Sequence, residues 1–169
     1  YETIERIMNV NFYGTLYMIK AFLPHLLKRP EAHIANVSSM GGFIPFPGQT
    51  LYGASKAAVK LLSEGLYAEL RNTRVGVTVI HPGAVDTHIM SNSGLATAAE
   101  EAESKKSQPN VALPAEEAAA MILDAIEKNK YRVMVGKDAR FMDFFYRFSP
   151  QRAAHFITKK MGQMRKASR

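Results

Sequence analysis

The sequence predicts a doubly wound α/β fold with a parallel sheet, present here as its second half. Three observations carry that expectation. Helical and extended apolar patterns alternate along the chain, the extended runs are short and rich in β-branched residues, and the intervening stretches suit the helical crossovers that parallel strands require. The 169 residues are 47% hydrophobic, which suffices for one domain with a core and is far from a disordered composition.

The elements follow in order. A first helix is predicted over residues 3–28, where Ile4, Ile7, Met8, Asn11, Phe12, Ile19, Leu23 and Leu26 share a stripe at helical spacing. Asn11 is polar where the stripe asks for an apolar side chain. A buried amide must find hydrogen bonds, so Asn11 is either a structural link or part of a site, and Gly14 beside it lets another backbone approach. Residues 33–38 read as a strand, ending in Ser38, Ser39, Met40, Gly41 and Gly42. A second helix is expected over 51–72. Residues 75–80 form a nearly unbroken apolar run, suited to a strand covered on both faces.

Residues 91–110 are small and polar and read as a mobile excursion. The third helix has Pro114 near its start, Glu116 and Glu117 in its first turn, and Lys128 and Lys130 at its end, all matched to the helix dipole. Its buried side should hold Ala118, Met121, Ile122 and Ala125. Residues 131–135 follow as a strand bounded by Gly136.

Charge divides the chain. Residues 1–136 carry thirteen basic and thirteen acidic residues, whereas 137–169 carry nine and two, so the net charge of +7 belongs to the tail. The expected organisation is a body over 1–136 and a basic amphipathic tail over 137–169. A basic balance confined to 33 residues argues against nucleic acid as the partner of the body. The absence of cysteine excludes disulfides, thiolate catalysis and cysteine-ligated metal, and the five histidines show no ligand spacing. The opening residues fit no signal peptide and no uncharged run spans a bilayer, so a cytoplasmic protein is expected. A start at Tyr1 suggests a piece of something longer.

No G-x-G-x-x-G or G-x-x-x-x-G-K-[ST] segment occurs, so the phosphate-cradling half of a nucleotide-binding fold is not in this sequence. Tyr52 and Lys56 stand four residues apart at the start of a helix and share a face. A free tyrosine titrates at roughly pH 10, and a fixed positive charge beside a phenol favours the phenolate, the direction a general acid/base at cellular pH requires. Ser39, at the mouth of the preceding strand, is placed to hold a carbonyl or hydroxyl oxygen opposite that phenol. Alone, Y-x-x-x-K is a weak signal, equally compatible with an exposed tyrosine and a solvated lysine.

It does not stand alone. V-N-F-Y-G (10–14), N-V-S-S-M-G-G (36–42), Y-G-A-S-K (52–56) and H-P-G-A-V-D-T (81–87) occur in order, with Ser39 thirteen residues before Tyr52. Together they resemble the short-chain dehydrogenase/reductase family over residues 1–136. The resemblance implies a Rossmann-like fold and an NAD(P)-dependent oxidoreductase interconverting an alcohol and a ketone or aldehyde. It implies Asn11, Ser39, Tyr52 and Lys56 as the catalytic four. Tyr52 would move the hydroxyl proton and Ser39 would orient the substrate oxygen. Lys56 would favour the phenolate and bind the nicotinamide ribose, and Asn11 would hold a water leading to solvent.

Pro82, Gly83, Val85 and Thr87 resemble the turn that receives the nicotinamide carboxamide. His81 reads as structural, satisfying a backbone group. The choice between NAD and NADP is not written in these residues. The resemblance further implies a homodimer or homotetramer through the first two helices, where Ala54, Ala57, Ala58 and Gly65 permit close approach. A chain lacking the other half is expected to be inactive alone, which leaves an incomplete fragment or interaction module as the alternative function.

In the tail, Phe141, Phe144, Phe145 and Phe148 are expected on one side of a short helix. After Pro150, Ala153, Phe156, Ile157, Met161 and Met164 oppose Arg152, Lys159, Lys160, Arg165 and Lys166. Such a helix packs over the domain or the substrate mouth, lies on an anionic membrane surface, or, least in keeping with the neutral body, meets nucleic acid. Phe43, Phe46 and Met90 suggest an apolar small-molecule substrate, although core packing uses the same residue types.

Overall fold

The computed structural model describes the backbone of residues 1–87 and 112–167, and the side chains of 1–87 and 112–162. The expected excursion at 91–110 and Met90 lie outside the described residues, as do the side chains of Met164, Arg165 and Lys166.

The chain begins with α1 (Glu2–Met8), a π-helical turn (Asn9–Tyr13) and α2 (Gly14–Leu26), joined without leaving helical backbone. The predicted single helix is therefore interrupted by a wide turn. An added residue per turn rotates everything beyond it, so the predicted stripe does not bury as a unit: Ile4 is 41% exposed and, of the stripe, only Ile19 is fully buried.

Strand β1 (Ala32–Val37), a short 3₁₀ turn (Met40–Gly42), α3 (Thr50–Glu69) and β2 (Val75–Pro82) follow. The short strands β3 (Val85–Asp86) and β4 (Leu113–Pro114) precede α4 (Ala115–Glu127), β5 (Arg132–Val135), α5 (Lys137–Phe148) and α6 (Pro150–Ala167).

The main sheet has the order β1-β2-β5 and is wholly parallel, with Ala32 opposite Val75 through Val37 opposite Ile80, and Val79 opposite Arg132 through Pro82 opposite Val135. Alternation along β2 sends side chains to two cores. Val75 and Val77 pack with Ile19, Ile34, Leu66 and Leu70 from α2, β1 and α3. Ile80 packs with Ala118 and Val135, flanked by Met121 and Ile122. Helices thus cover both faces, as the fold class requires, and α4 buries the side its sequence predicted.

Buried polar groups tie the layers. Asn36 Nδ2 donates to Ser63 Oγ at 2.9 Å, linking β1 to α3. Thr78 Oγ1 donates to the Lys130 carbonyl at 2.6 Å, so His33 Nε2, 2.8 Å away, is the donor in their shared bond.

The tail helices pack on the loop after β1. Ile44, Met142, Ala153 and Ile157 form a third core, with Phe43, Phe46, Phe145, Tyr146 and Met161 around it. Helix α5 forms where the phenylalanine spacing placed it, and that side faces outward: Phe141, Phe144 and Phe148 are exposed, while Ala139 and Met142 take the buried side.

Candidate active site

The carboxyl ends of parallel strands are where this fold gathers chemistry. Strand β1 delivers Ser38 and Ser39 there. The Ser38 N–H continues the sheet ladder to the Ile80 carbonyl at 2.8 Å. Ser39 is still extended, with φ −168° and ψ 163°, and caps the 3₁₀ turn that follows by accepting the Gly41 N–H on its Oγ at 3.0 Å. Because that oxygen is already an acceptor, its own O–H proton is free to be given to another oxygen.

Helix α3 begins against this turn. Its first turns present Tyr52 and Lys56, and buried Ser38 Oγ donates to the Lys56 carbonyl at 2.8 Å. A Cβ built on Gly41 would lie 3.5 Å from Ser39 Oγ and 3.5 Å from Tyr52 Cε1, so the serine hydroxyl and the phenol ring flank one glycine.

Lys56 Nζ lies 5.9 Å from the Tyr52 ring centroid, within cation–π range, and donates to the Val37 carbonyl at 3.1 Å. Burial pushes the Lys56 ammonium below its usual range. An ammonium has three donors, so this one can serve further oxygen acceptors, and the hydroxyls of a sugar fit that chemistry.

Asn11 enters from the π turn. Its Nδ2 donates to Ser55 Oγ at 3.0 Å, and the same hydroxyl donates to the Tyr52 carbonyl at 2.7 Å. The polar interruption of the first stripe is therefore hydrogen-bonded to the helix that carries Tyr52 and Lys56. A groove of about 560 Å³ runs along β1 from this point, with Asn11, Lys56 and Val37 near one another and Met18, Phe22 and Ile34 among its apolar walls.

His81 is fully buried, and its Nδ1 donates to the Ser39 carbonyl at 3.1 Å. This is the backbone-satisfying role the sequence suggested. Burial pushes the imidazole below its ordinary value, and Phe43 packs edge-on against it at 5.4 Å.

Beyond His81, Pro82 ends β2 and the turn continues through Gly83, Val85 and Thr87, at the same end of the sheet. Gly83 N–H bonds the Val135 carbonyl at 2.9 Å, Ala84 N–H bonds Asp138 Oδ2 at 2.7 Å, and Val85 pairs with Leu113. The structure thus brings Asn11, Ser39, Tyr52 and Lys56 around the end of β1 and sets the turn around the end of β2.

Three residues of this region escaped sequence reasoning. Ser38 and Ser55 lie inside recognisable motifs, and their spacing to Tyr52 and Lys56 was the available signal. Asp138 lies 54 residues from Ala84, and nothing local announces their bond.

Fold and site define a Rossmann-type parallel α/β protein with a serine, a tyrosine and a lysine gathered at one strand end. The sequence model for short chain dehydrogenase matches residues 1–98, and the chain belongs to this family. A putative oxidoreductase, SadH, of Mycobacterium tuberculosis is 36% identical over 151 residues, covering 87% of this chain and 55% of its own length. A short chain dehydrogenase from Burkholderia cenocepacia, solved in complex with NADP, is 30% identical with a TM-score of 0.70, over 88% of this chain and 57% of its own. A short chain dehydrogenase/reductase from Burkholderia phymatum, solved with NAD, is 28% identical with a TM-score of 0.64, over 76% and 51%. The chain therefore spans about half the length of the relatives it matches.

Proposed function

We propose that the protein is an NAD(P)-dependent oxidoreductase that interconverts an alcohol with a ketone or aldehyde. The observation that carries this reading is the meeting of Ser39, Tyr52 and Lys56 at the end of β1, in a chain of this family. NAD or NADP, when bound, supplies the hydride chemistry. The residues here fit its nicotinamide end: Tyr52 and Lys56 toward the ribose, and Pro82, Gly83, Val85 and Thr87 toward the carboxamide.

The chain's own side chains manage the proton. Ser39 holds the substrate oxygen through its O–H, while Gly41 N–H occupies one of its two lone pairs and fixes the hydroxyl in place. Tyr52 gives the proton to that oxygen in reduction and takes it in oxidation. Lys56 lends positive charge beside the phenol, and Asn11 fixes the helix turn bearing Tyr52 through Ser55. Phe43 and Phe46 pack around the third core and so leave the apolar character of a small-molecule substrate resting on the groove walls Met18, Phe22 and Ile34. Assembly into a homodimer or homotetramer through α1, α2 and α3 fits the exposed Tyr17, Met18 and Leu61.

The test is reduction of a carbonyl panel by NADPH and NADH with the full-length protein and its Tyr52→Phe variant. General acid/base catalysis contributes roughly 10²–10⁴ in rate, so a fall of that order is expected. Equal turnover in both would overturn the role of Tyr52.

A second property is supported by the outer face of the tail, which we read as a peripheral contact with an anionic membrane surface. Phe144 and Phe148 are 71% and 79% exposed, and Phe141 and Phe156 lie beside them. Both tail acids are engaged inward, Asp138 by Ala84 N–H and Asp143 by Arg132 and Arg147. The exposed Lys137, Arg140, Arg152, Lys159 and Lys160 therefore give the outer face a positive rim around the aromatic rings.

A further inference from the structure

We propose that Asp138 is a positioning residue that fixes the turn receiving the nicotinamide, tying cofactor binding to helix α5. The inference rests on the oxidoreductase reading above and adds a residue outside the motifs that suggested it.

The turn from Pro82 to Val85 is held from two sides by backbone. Gly83 N–H is taken by the Val135 carbonyl at 2.9 Å, and the Ala84 carbonyl accepts Leu113 N–H at 2.9 Å. The remaining Ala84 N–H is taken by a side chain, Asp138 Oδ2, at 2.7 Å. A carboxylate on an amide N–H makes a charge-assisted bond, shorter and stronger than a neutral one. It also sits in the first turn of α5, where the helix dipole favours a negative charge.

The surrounding space is shaped for that carboxylate. A Cβ on Gly83 would fall onto both of its oxygens, and one on Gly136 would lie 2.5 Å from Oδ1. Gly136 also has φ +103°, a backbone conformation that L side chains rarely adopt. Two glycines, on either side of the sheet end, thus leave room for Asp138 and for nothing larger on their own backbones. The carboxylate is spent on Ala84 and acts on the cofactor only through the turn, one residue before the Val85 backbone and three before Thr87. Helix α5 is anchored independently by Met142 on Ile44, so the clamp has a fixed base.

The experiment compares full-length wild type with Asp138→Ala and Asp138→Asn. Asparagine keeps an acceptor oxygen for Ala84 N–H, and alanine does not. Binding of NADPH, NADH and ADP-ribose is measured by titration, with hydrogen exchange at the Ala84 amide and thermal melting alongside. ADP-ribose lacks the nicotinamide and serves as the control for general loosening.

In Asp138→Ala, Ala84 should exchange at least about tenfold faster and the preferred dinucleotide should bind about tenfold more weakly. ADP-ribose should change by less than about twofold, and Asp138→Asn should recover most of the lost dinucleotide affinity. Unchanged dinucleotide affinity in Asp138→Ala overturns the proposal, as does equal weakening for ADP-ribose, which would mark a fold contact only. If the wild type binds ADP-ribose but neither dinucleotide any tighter, the oxidoreductase reading fails and the cofactor role of Asp138 falls with it.

Discussion

His81 shows how burial can outweigh the other influences on a side chain. Burial pushes its imidazole below the ordinary 6.5; the Ser39 carbonyl opposes that shift, Arg132 and Lys60 reinforce it, and Asp143 opposes it. The folded chain thus holds His81 neutral where the unfolded chain would bind a proton. The stabilisation is fully present above about pH 6.5 and is lost as pH falls below it. His33, pushed down by its own burial, adds to the same trend. Melting temperature should therefore drop between pH 7 and pH 5, and His81→Asn, which keeps an N–H for the Ser39 carbonyl, should drop less. Equal drops in both proteins would place the acid lability elsewhere. At this scale the sequence was readable where a residue broke a pattern. Asn11 on an apolar stripe announced its need for hydrogen bonds, and the lone His81 at a strand end announced a backbone partner. Asp138 broke no pattern, because its partner lies 54 residues away across the end of the sheet.

The packing of α3 against the 3₁₀ turn holds the site in shape. A Cβ on Gly42 would meet Ser38 Oγ at 2.6 Å and the Lys56 backbone at 3.0 Å, whereas on Gly41 it would make ordinary contacts at 3.5 Å. Overpacking of this kind costs about 1–3 kcal/mol. Gly42→Ala should therefore lower the melting temperature by several degrees, and Gly41→Ala should leave it nearly unchanged; chemical denaturation of the two variants checks the contrast. A smaller loss at Gly42 than at Gly41 would refute this view of the interface. The three strands of the main sheet were legible because their apolar runs are bounded by glycine, serine and proline, whereas the two-residue β3 and β4 are too short to show a pattern. The π turn was not, since a widened turn preserves the residue types of a helix while rotating the face beyond it. The phenylalanine side of α5 was legible in the spacing, but not the way it faces: Ala139 and Met142 take the buried side and leave Phe144 and Phe148 outward.

Across the whole molecule, charge is unevenly placed. Residues 1–136 are neutral and carry the strand ends with the candidate site, and the excess of +7 resides in residues 137–169, whose Asp138 nonetheless reaches the turn after β2. Among the described residues no helix is long and apolar enough to cross a membrane. Full-length protein should co-sediment with phosphatidylserine vesicles and not with phosphatidylcholine vesicles, and Phe144→Ser with Phe148→Ser should weaken that binding severalfold. Binding unaffected by the pair would remove the aromatic face from the account. The family and the half-fold were legible at this scale because four short motifs keep their order and spacing. The central claim remains that Tyr52, Ser39 and Lys56 serve hydride transfer between a nicotinamide and a carbonyl carbon. The most direct test supplies reduced dinucleotide carrying deuterium at both positions of the nicotinamide C4 to full-length protein with a carbonyl substrate from the panel. The account predicts an alcohol carrying one deuterium on the former carbonyl carbon, formed at least about a hundredfold more slowly by Tyr52→Phe. An alcohol without deuterium, or one formed equally fast by the variant, would contradict it.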